Sequence, residues 1–178
     1  FFALFTLIPA ILISIFSLFL FSFALEKYFD KKITTTVNNS YELAKKYVED
    51  VRNKIESDII MIAFDINKSG NIYNSAPKDF LIFLRNQKIL REVDEIHIIN
   101  DKKKLIMSTL TNISKFVPPP ENAFKLVMND DRPLKIINAF ENRSSAILKL
   151  PEYKNTYLYI VKFLEKDISQ YLTESQEA

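Results

Sequence analysis

The first 25 residues, Phe1 to Leu25, contain no charged side chain, and the first charge in the chain is Glu26. An α-helix rises about 1.5 Å per residue, so a run of this length crosses a hydrocarbon core of about 30 Å with some tilt. Thr6, Ser14, Ser17 and Ser22 interrupt the Phe, Leu, Ile and Ala, and their hydroxyls can bond back to their own helix. Pro9 is tolerated where neighbouring groups satisfy the carbonyl it frees. The run therefore predicts a transmembrane helix over 1–25, with the lipid bilayer as its first partner. The competing reading is a secretory signal peptide, which has a basic leader and an apolar stretch of roughly 7–15 residues. This run is longer than that, so a spanning helix is the expectation. Because the sequence opens inside the apolar run without a methionine, it is expected to be a piece of a longer chain.

The remainder, 26–178, is long enough for one domain with a real core. Its charges are dense but balanced, 24 basic against 22 acidic for a net of +2, and the two signs are interspersed. Phosphate backbones are bound by basic residues clustered on one face, so nucleic acid is not an expected partner. Cysteine is absent, which removes disulfides and thiolate metal sites alike. A single glycine excludes loops whose backbone cradles phosphate, among them those of the ATP-binding half of a histidine kinase. A single histidine excludes His-rich zinc sites. No catalytic residue, metal ligand set or cofactor is expected in these residues.

Past the apolar run, Glu26-Lys27-Tyr28-Phe29-Asp30-Lys31-Lys32 has the aromatics and lysines that anchor a span at an interface. A long helix is predicted over 26–67. Its apolar positions are Val37, Tyr41, Ala44, Val48, Val51, Ile55, Ile59, Ile62 and Ile66, at steps of 4, 3, 4, 3, 4, 4, 3 and 4. This is heptad spacing with one four-residue stutter after Val51. Either the helix packs on its own domain, or Val37, Tyr41, Ala44, Val48 and Val51 form a seam with a twin helix in a homodimer. The stutter then marks where the helix turns to its own sheet.

Gly70 suits a left-handed cap at the end of this helix. Pro77 suits a first helical turn, with Ser75 as the expected N-cap of a second helix through Phe80, Leu81, Phe83 and Leu84. Residues 93–99 and 104–110 read as strands joined by an Asn100-Asp101-Lys102-Lys103 turn. After Pro118-Pro119-Pro120, a short helix is predicted over 121–128. Strands follow at 134–140, 144–150 and 156–163, with turns at 141–143 and 151–155. The polar tail 166–178 reads as an exit helix leading to a further span. The expected fold class is α+β: a transmembrane helix leading into a long helix packed on a five-stranded antiparallel sheet of PAS-like, single Cache-like type, the sheet domain covering 76–165.

At this level of detail the chain resembles the membrane-proximal and sensor region of NtrY-type nitrogen-regulation histidine kinases. The stretches that carry the likeness are Ile8-Pro9-Ala10-Ile11-Leu12, Tyr28-Phe29, Val37-Asn38-Asn39-Ser40, then Ala44, Tyr47 and Glu49. They continue with Phe64-Asp65-Ile66-Asn67, Asn142-Arg143, Ala146 and Leu148, and the most specific of them is Tyr157-Leu158-Tyr159-Ile160-Val161-Lys162-Phe163. Between Asn71 and Phe116 the likeness is one of pattern. The resemblance implies the signal-input region of a membrane-bound two-component sensor in the bacterial inner membrane, with 26–178 as its extracytoplasmic sensor domain. It also implies a kinase core beyond these residues and a cognate response regulator as partner. Lys27, Lys31 and Lys32 alone would hint at a cytoplasmic flank, but long domains cross regardless of such charges. His97 lacks the following acidic residue and proline of a phosphoacceptor histidine.

In a Cache-like fold a small-molecule ligand sits between one sheet face and the crossover covering it. An anionic ligand would take Arg143 as a forked donor, with Tyr157 and Tyr159 to orient it. The plainer reading makes Arg143 a solvated turn residue and the two tyrosines core. His97 alternates with Ile96 and Ile98, faces away from them, and could sense pH. Asp65 is expected to be solvated or paired. The alternatives to a kinase input module are a membrane-anchored dimerisation scaffold without ligand, or the sensor module of a chemoreceptor or cyclase.

Overall fold

The computed structural model describes residues 2–70, 72–129, 134–140 and 142–165, with side chains at all of these except 2–6, 33–34, 37–38 and 134–140. The exit helix expected over 166–178 lies outside the described residues. By its internal contacts the chain divides into two units, Phe1–Leu43 and Ala44–Ala178.

Helix α1 runs without a break over Phe2–Ser69. In the first unit, Leu7–Lys32 is long and apolar enough to cross a membrane; its most apolar 18-residue window has mean hydropathy 2.4 and is not buried against protein. Leu18, Phe19 and Phe21 are among the most exposed large apolar residues described. Ser14 returns its hydroxyl hydrogen to the Ala10 carbonyl at 2.9 Å, so a polar group in the run is satisfied within its own helix. Lys32 reaches over the Tyr28 ring, 5.7 Å from its centre.

The second unit begins on the same helix. After α1, a single turn α2 spans Ile72–Ser75 and α3 spans Pro77–Arg91. Strands β1 (Glu95–Asn100) and β2 (Leu105–Ser108) form a hairpin, and a 3-10 turn at Ile113–Lys115 leads to α4 (Glu121–Asn129). The chain closes with β3 (Leu134–Phe140), β4 (Arg143–Lys149) and β5 (Thr156–Phe163). The sheet is antiparallel, in the order β2-β1-β5-β4-β3, so the last strand lies between the first and the fourth. The α+β class, with an apolar N-terminal helix and an antiparallel sheet, is the one the sequence predicts.

Alternation along the strands makes two unlike faces. Ile96, Ile98, Ala146, Leu148, Leu158 and Ile160 form one core with Ile55, Ile59, Ile62 and Ile66 of α1 and Phe80 and Leu84 of α3. These four isoleucines are at most 1% exposed. Full burial of such a side chain is worth about 1.5–3 kcal/mol against leaving it in water, so this row holds α1 on the sheet. The other face carries Ile99, Ile147, Tyr157, Tyr159 and Val161 and is covered by Phe124 and Val127 of α4 and by Phe116.

The seam positions before the stutter fall differently. Ala44 is buried, Tyr41, Val48 and Val51 are half-buried, and the side chain of Val37 lies outside the described residues.

Local signals resolve as follows. Gly70 adopts φ +54 and its N–H returns to the Asn67 carbonyl, ending α1 as its sequence suggests. Ser75 is not the N-cap of α3. That position is Ala76, with Pro77 inside the first turn, because Ile72–Ser75 is itself helical and displaces the cap by one residue. The Asn100 side chain closes the first hairpin by accepting from the N–H groups of Lys102 and Lys104. Strand β2 is shorter than the expected 104–110, because Asn112 opens a 3-10 turn by accepting from the Ser114 N–H.

Candidate functional site

On the face covered by the crossover, six ionisable or hydroxyl-bearing residues converge. The spacing of Glu95 and His97, two apart in β1, puts both side chains on this face. In the ladder His97 lies opposite Tyr159 of β5 and Ser108 of β2. Arg143 and Ser145 enter from β4, opposite Phe163 and Val161.

The His97 ring is fully buried, and both of its nitrogens are engaged. Nε2 lies 2.9 Å from Glu95 Oε2 and Nδ1 lies 2.9 Å from Ser108 Oγ. The ring stacks on Tyr159 at 5.6 Å between centres and meets the Phe116 edge at 4.9 Å. Glu95 also faces Arg143, whose Nη2 is 3.8 Å from Oε1, an ion pair beyond hydrogen-bond reach. The Arg143 guanidinium lies 5.3 Å from the centre of the Phe163 ring. Burial pushes the Tyr159 phenol above its ordinary range; the hydrogen bond with Ser145 and the nearby Arg143 charge oppose this, and Glu95 adds to it. Tyr159 is therefore a neutral hydroxyl here.

The predicted site residues divide. Arg143 is not a solvated turn residue: it is the first residue of β4, with its side chain 18% exposed against Glu95 and Phe163. The turn is tighter than expected because Asn142 takes a left-handed conformation at φ 64. Tyr159 lies in the same cluster through His97. Tyr157 is on the same face but packs on Phe124, 5.0 Å between ring centres, among aliphatic side chains. Burial raises its phenol, and the Asp101 charge adds to the effect. Asp65 is paired: it accepts from Gln87 at 3.0 Å and from Arg91 at 3.4 Å.

Glu95, Ser108 and Ser145 were not singled out from sequence. The signal for Glu95 was present, since a carboxylate two residues from a histidine in a strand must share its face. Ser108 and Ser145 become relevant only when the strands are aligned. Among the described residues, no three His, Cys, Asp or Glu side chains are grouped to hold a metal ion. An open depression of about 540 Å³ lies beside Asn122, Lys125, Leu126 and Asn129, and no cluster side chain lines it.

A sheet that holds an aliphatic core on one face and a buried ionisable cluster on the other, on a chain with a membrane-length helix, defines an α+β protein with one candidate membrane span among the described residues. The chain belongs to the NtrY N-terminal region family, whose model matches residues 1–178. It is 24% identical over 179 residues to an NtrY-like sensor histidine kinase of Rickettsia conorii, covering 99% of this chain and 30% of that protein. A relative of the same name in Rickettsia felis matches to the same extent. The nitrogen regulation protein NtrY of Azorhizobium caulinodans is 23% identical over 176 residues, 99% of this chain and 23% of its own length. The chain thus spans less than a third of the length of these relatives.

Proposed function

We propose that this chain is the signal-input region of a membrane-bound two-component histidine kinase of the nitrogen-regulation type. Its sheet domain, of PAS-like, single Cache-like architecture, stands outside the cytoplasm of a bacterial inner-membrane protein. A change at the cluster shifts the helices that bracket the sheet and, through them, a kinase core and its cognate response regulator. Family membership over the whole chain supports the kinase context, and the element order supports the architecture.

One observation carries the reading. Strands β1 and β5 alternate, residue by residue, between the buried polar cluster and the row on which α1 packs. His97 is one residue from Ile96 and Ile98, and Tyr159 is one residue from Leu158 and Ile160. A rearrangement of the cluster therefore acts on strands whose opposite face holds Ile55–Ile66. Such a site can bias two states only by its differential affinity for them, typically about 1–3 kcal/mol of coupling.

The test is a four-residue insertion after Glu165 in the full-length protein. It turns the following helix by about 40° relative to the sheet, since each helical residue turns about 100°. Kinase output locked on or off is the expected result. Unchanged output that still responds to its stimulus overturns helix-phase transmission through this segment. A cytoplasm-only reporter fused after Ala178, with the native membrane segment in place, should stay inactive. Activity there overturns the orientation.

A further inference from the structure

His97 is the only histidine of the chain, and its surroundings let it exist in two protonation states without losing a hydrogen bond. A carboxylate only accepts, so Nε2 must carry the hydrogen shared with ionised Glu95. Ser108 Oγ can act either way. When the ring is neutral its hydroxyl donates to Nδ1. When Nδ1 is protonated, Oγ accepts from it on one lone pair while the other still accepts the Leu110 N–H at 3.0 Å. On charging, the ring therefore keeps both of its partners.

Among the described residues, the titratable and charged groups that face the ring are few. They are Glu95 from β1, Tyr159 from β5 and, through Glu95, Arg143 from β4. Strand β2 offers only the Ser108 hydroxyl, and the crossover offers the Phe116 ring. With neutral His97 the Glu95 and Arg143 charges balance. A proton on Nδ1 leaves one net positive charge in the cluster.

Resting on the signal-input reading above, we propose that His97, Glu95 and Arg143 form a proton-responsive switch whose output is the contact between Arg143 and Phe163. The incoming proton is taken from solvent by the Nδ1 lone pair, and Ser108 turns from donor to acceptor. The Nε2–Glu95 hydrogen bond, already charge-assisted by the carboxylate, becomes an imidazolium–carboxylate ion pair. Glu95 is drawn to the ring, and Arg143, already 3.8 Å away and partly exposed, faces a like charge and moves toward water. It thereby leaves the ring of Phe163, the last residue of β5. One proton at the sheet centre is thus read at the point where the chain leaves the sheet.

The experiment is an NMR titration of the whole 178-residue chain in phospholipid nanodiscs, with labelled His and Phe rings. The single histidine supplies one unambiguous imidazole signal. The His97 ring should titrate with one proton, and the Phe163 ring signals should move with the same midpoint. In His97→Gln that Phe163 transition should vanish. Ser108→Ala leaves every charge in place but strands the Nδ1–H of the cation, so the His97 midpoint should fall by about one pH unit or more. A His97 signal that stays constant while the amide spectrum stays folded overturns the switch. So does a Phe163 ring that ignores the His97 transition, or an unchanged midpoint in Ser108→Ala. Should a variant fail to fold, the shared or separate midpoints of His97 and Phe163 in the unaltered chain still decide. The titration involves no kinase output, so its failure leaves the signal-input reading standing.

Discussion

The Tyr153 hydroxyl, in the turn between β4 and β5, donates to the Gly70 carbonyl at 2.9 Å, joining positions 83 residues apart. Its ring meets Tyr73 edge-on at 5.2 Å, and Tyr73 in turn meets Phe80 at 5.3 Å. The Gly70 carbonyl has just left the helical hydrogen-bond pattern of α1, so it needs a partner from elsewhere. The late hairpin of the sheet is thereby latched to the C-terminal end of the long helix.

Tyr153→Phe keeps the ring stack and removes only the hydroxyl. It should lower stability by about 1 kcal/mol in denaturant unfolding, the usual net worth of such a bond. An unchanged midpoint would show that water replaces the hydroxyl at no cost.

Glu92 closes α3 in a left-handed conformation, φ 54, with its N–H returned to the Ile89 carbonyl and that of Val93 to Lys88. Glycine is the residue this position favours. Glu92→Gly and Glu92→Ala both lose the exposed pair with Lys54, so their difference reports the backbone alone. Glu92→Gly should be the more stable by about 1 kcal/mol. Equal stabilities would mean the conformation carries no strain.

Asp58 is buried on α1, and its carboxyl is held above the ordinary 3.8 chiefly by desolvation, against the opposing charges of Lys54 and Arg91. The folded state then binds the Asp58 proton more tightly than the unfolded chain does. Its contribution to stability is greatest below the ordinary carboxylate value and falls as pH rises through the raised one. Asp58→Asn keeps the shape without the charge. At pH 7 it should melt higher than the unaltered chain by about 2 °C or more, and the gap should close on acidification. A gap that widens as pH falls would reverse the assignment.

Val48 and Val51 are half-buried within one copy of the chain, as is Tyr41. If the 4-3 spacing is a dimer seam, single cysteines at 41, 48 and 51 should cross-link between copies. Those at 42 and 49, on the other side of the helix, should not. The chain has no native cysteine to interfere. Equal cross-linking at all five positions would argue against a seam.

Much of the fold was legible because it is local. The uncharged run, the isoleucines after Val51, the Asn100 turn and the alternation in Tyr157–Phe163 each state their element within a few residues. The cap of α3 was misplaced by one residue, since Ser75 and Ala76 differ only in whether the preceding turn is itself helical. Arg143 was read as a turn residue because proximity to Asn142 suggested it. Its actual partners, Glu95 and Phe163, are distant in sequence.

The sequence by itself determined which run is long and apolar enough to cross a membrane, which residues alternate along strands and which helix face is apolar. Those properties follow from hydropathy and from the periods of helix and strand. Only the tertiary structure decided which sheet face meets α1 and which meets the crossover. Alternation separates Glu95, His97 and Ile99 from Ile96 and Ile98, but it assigns neither set to a side. Seating β5 between β1 and β4 brings Glu95, His97, Tyr159 and Arg143 together. Three strands must be in register before those four side chains form a cluster, β1 lying about 40 residues or more before the other two, and no single segment encodes that register.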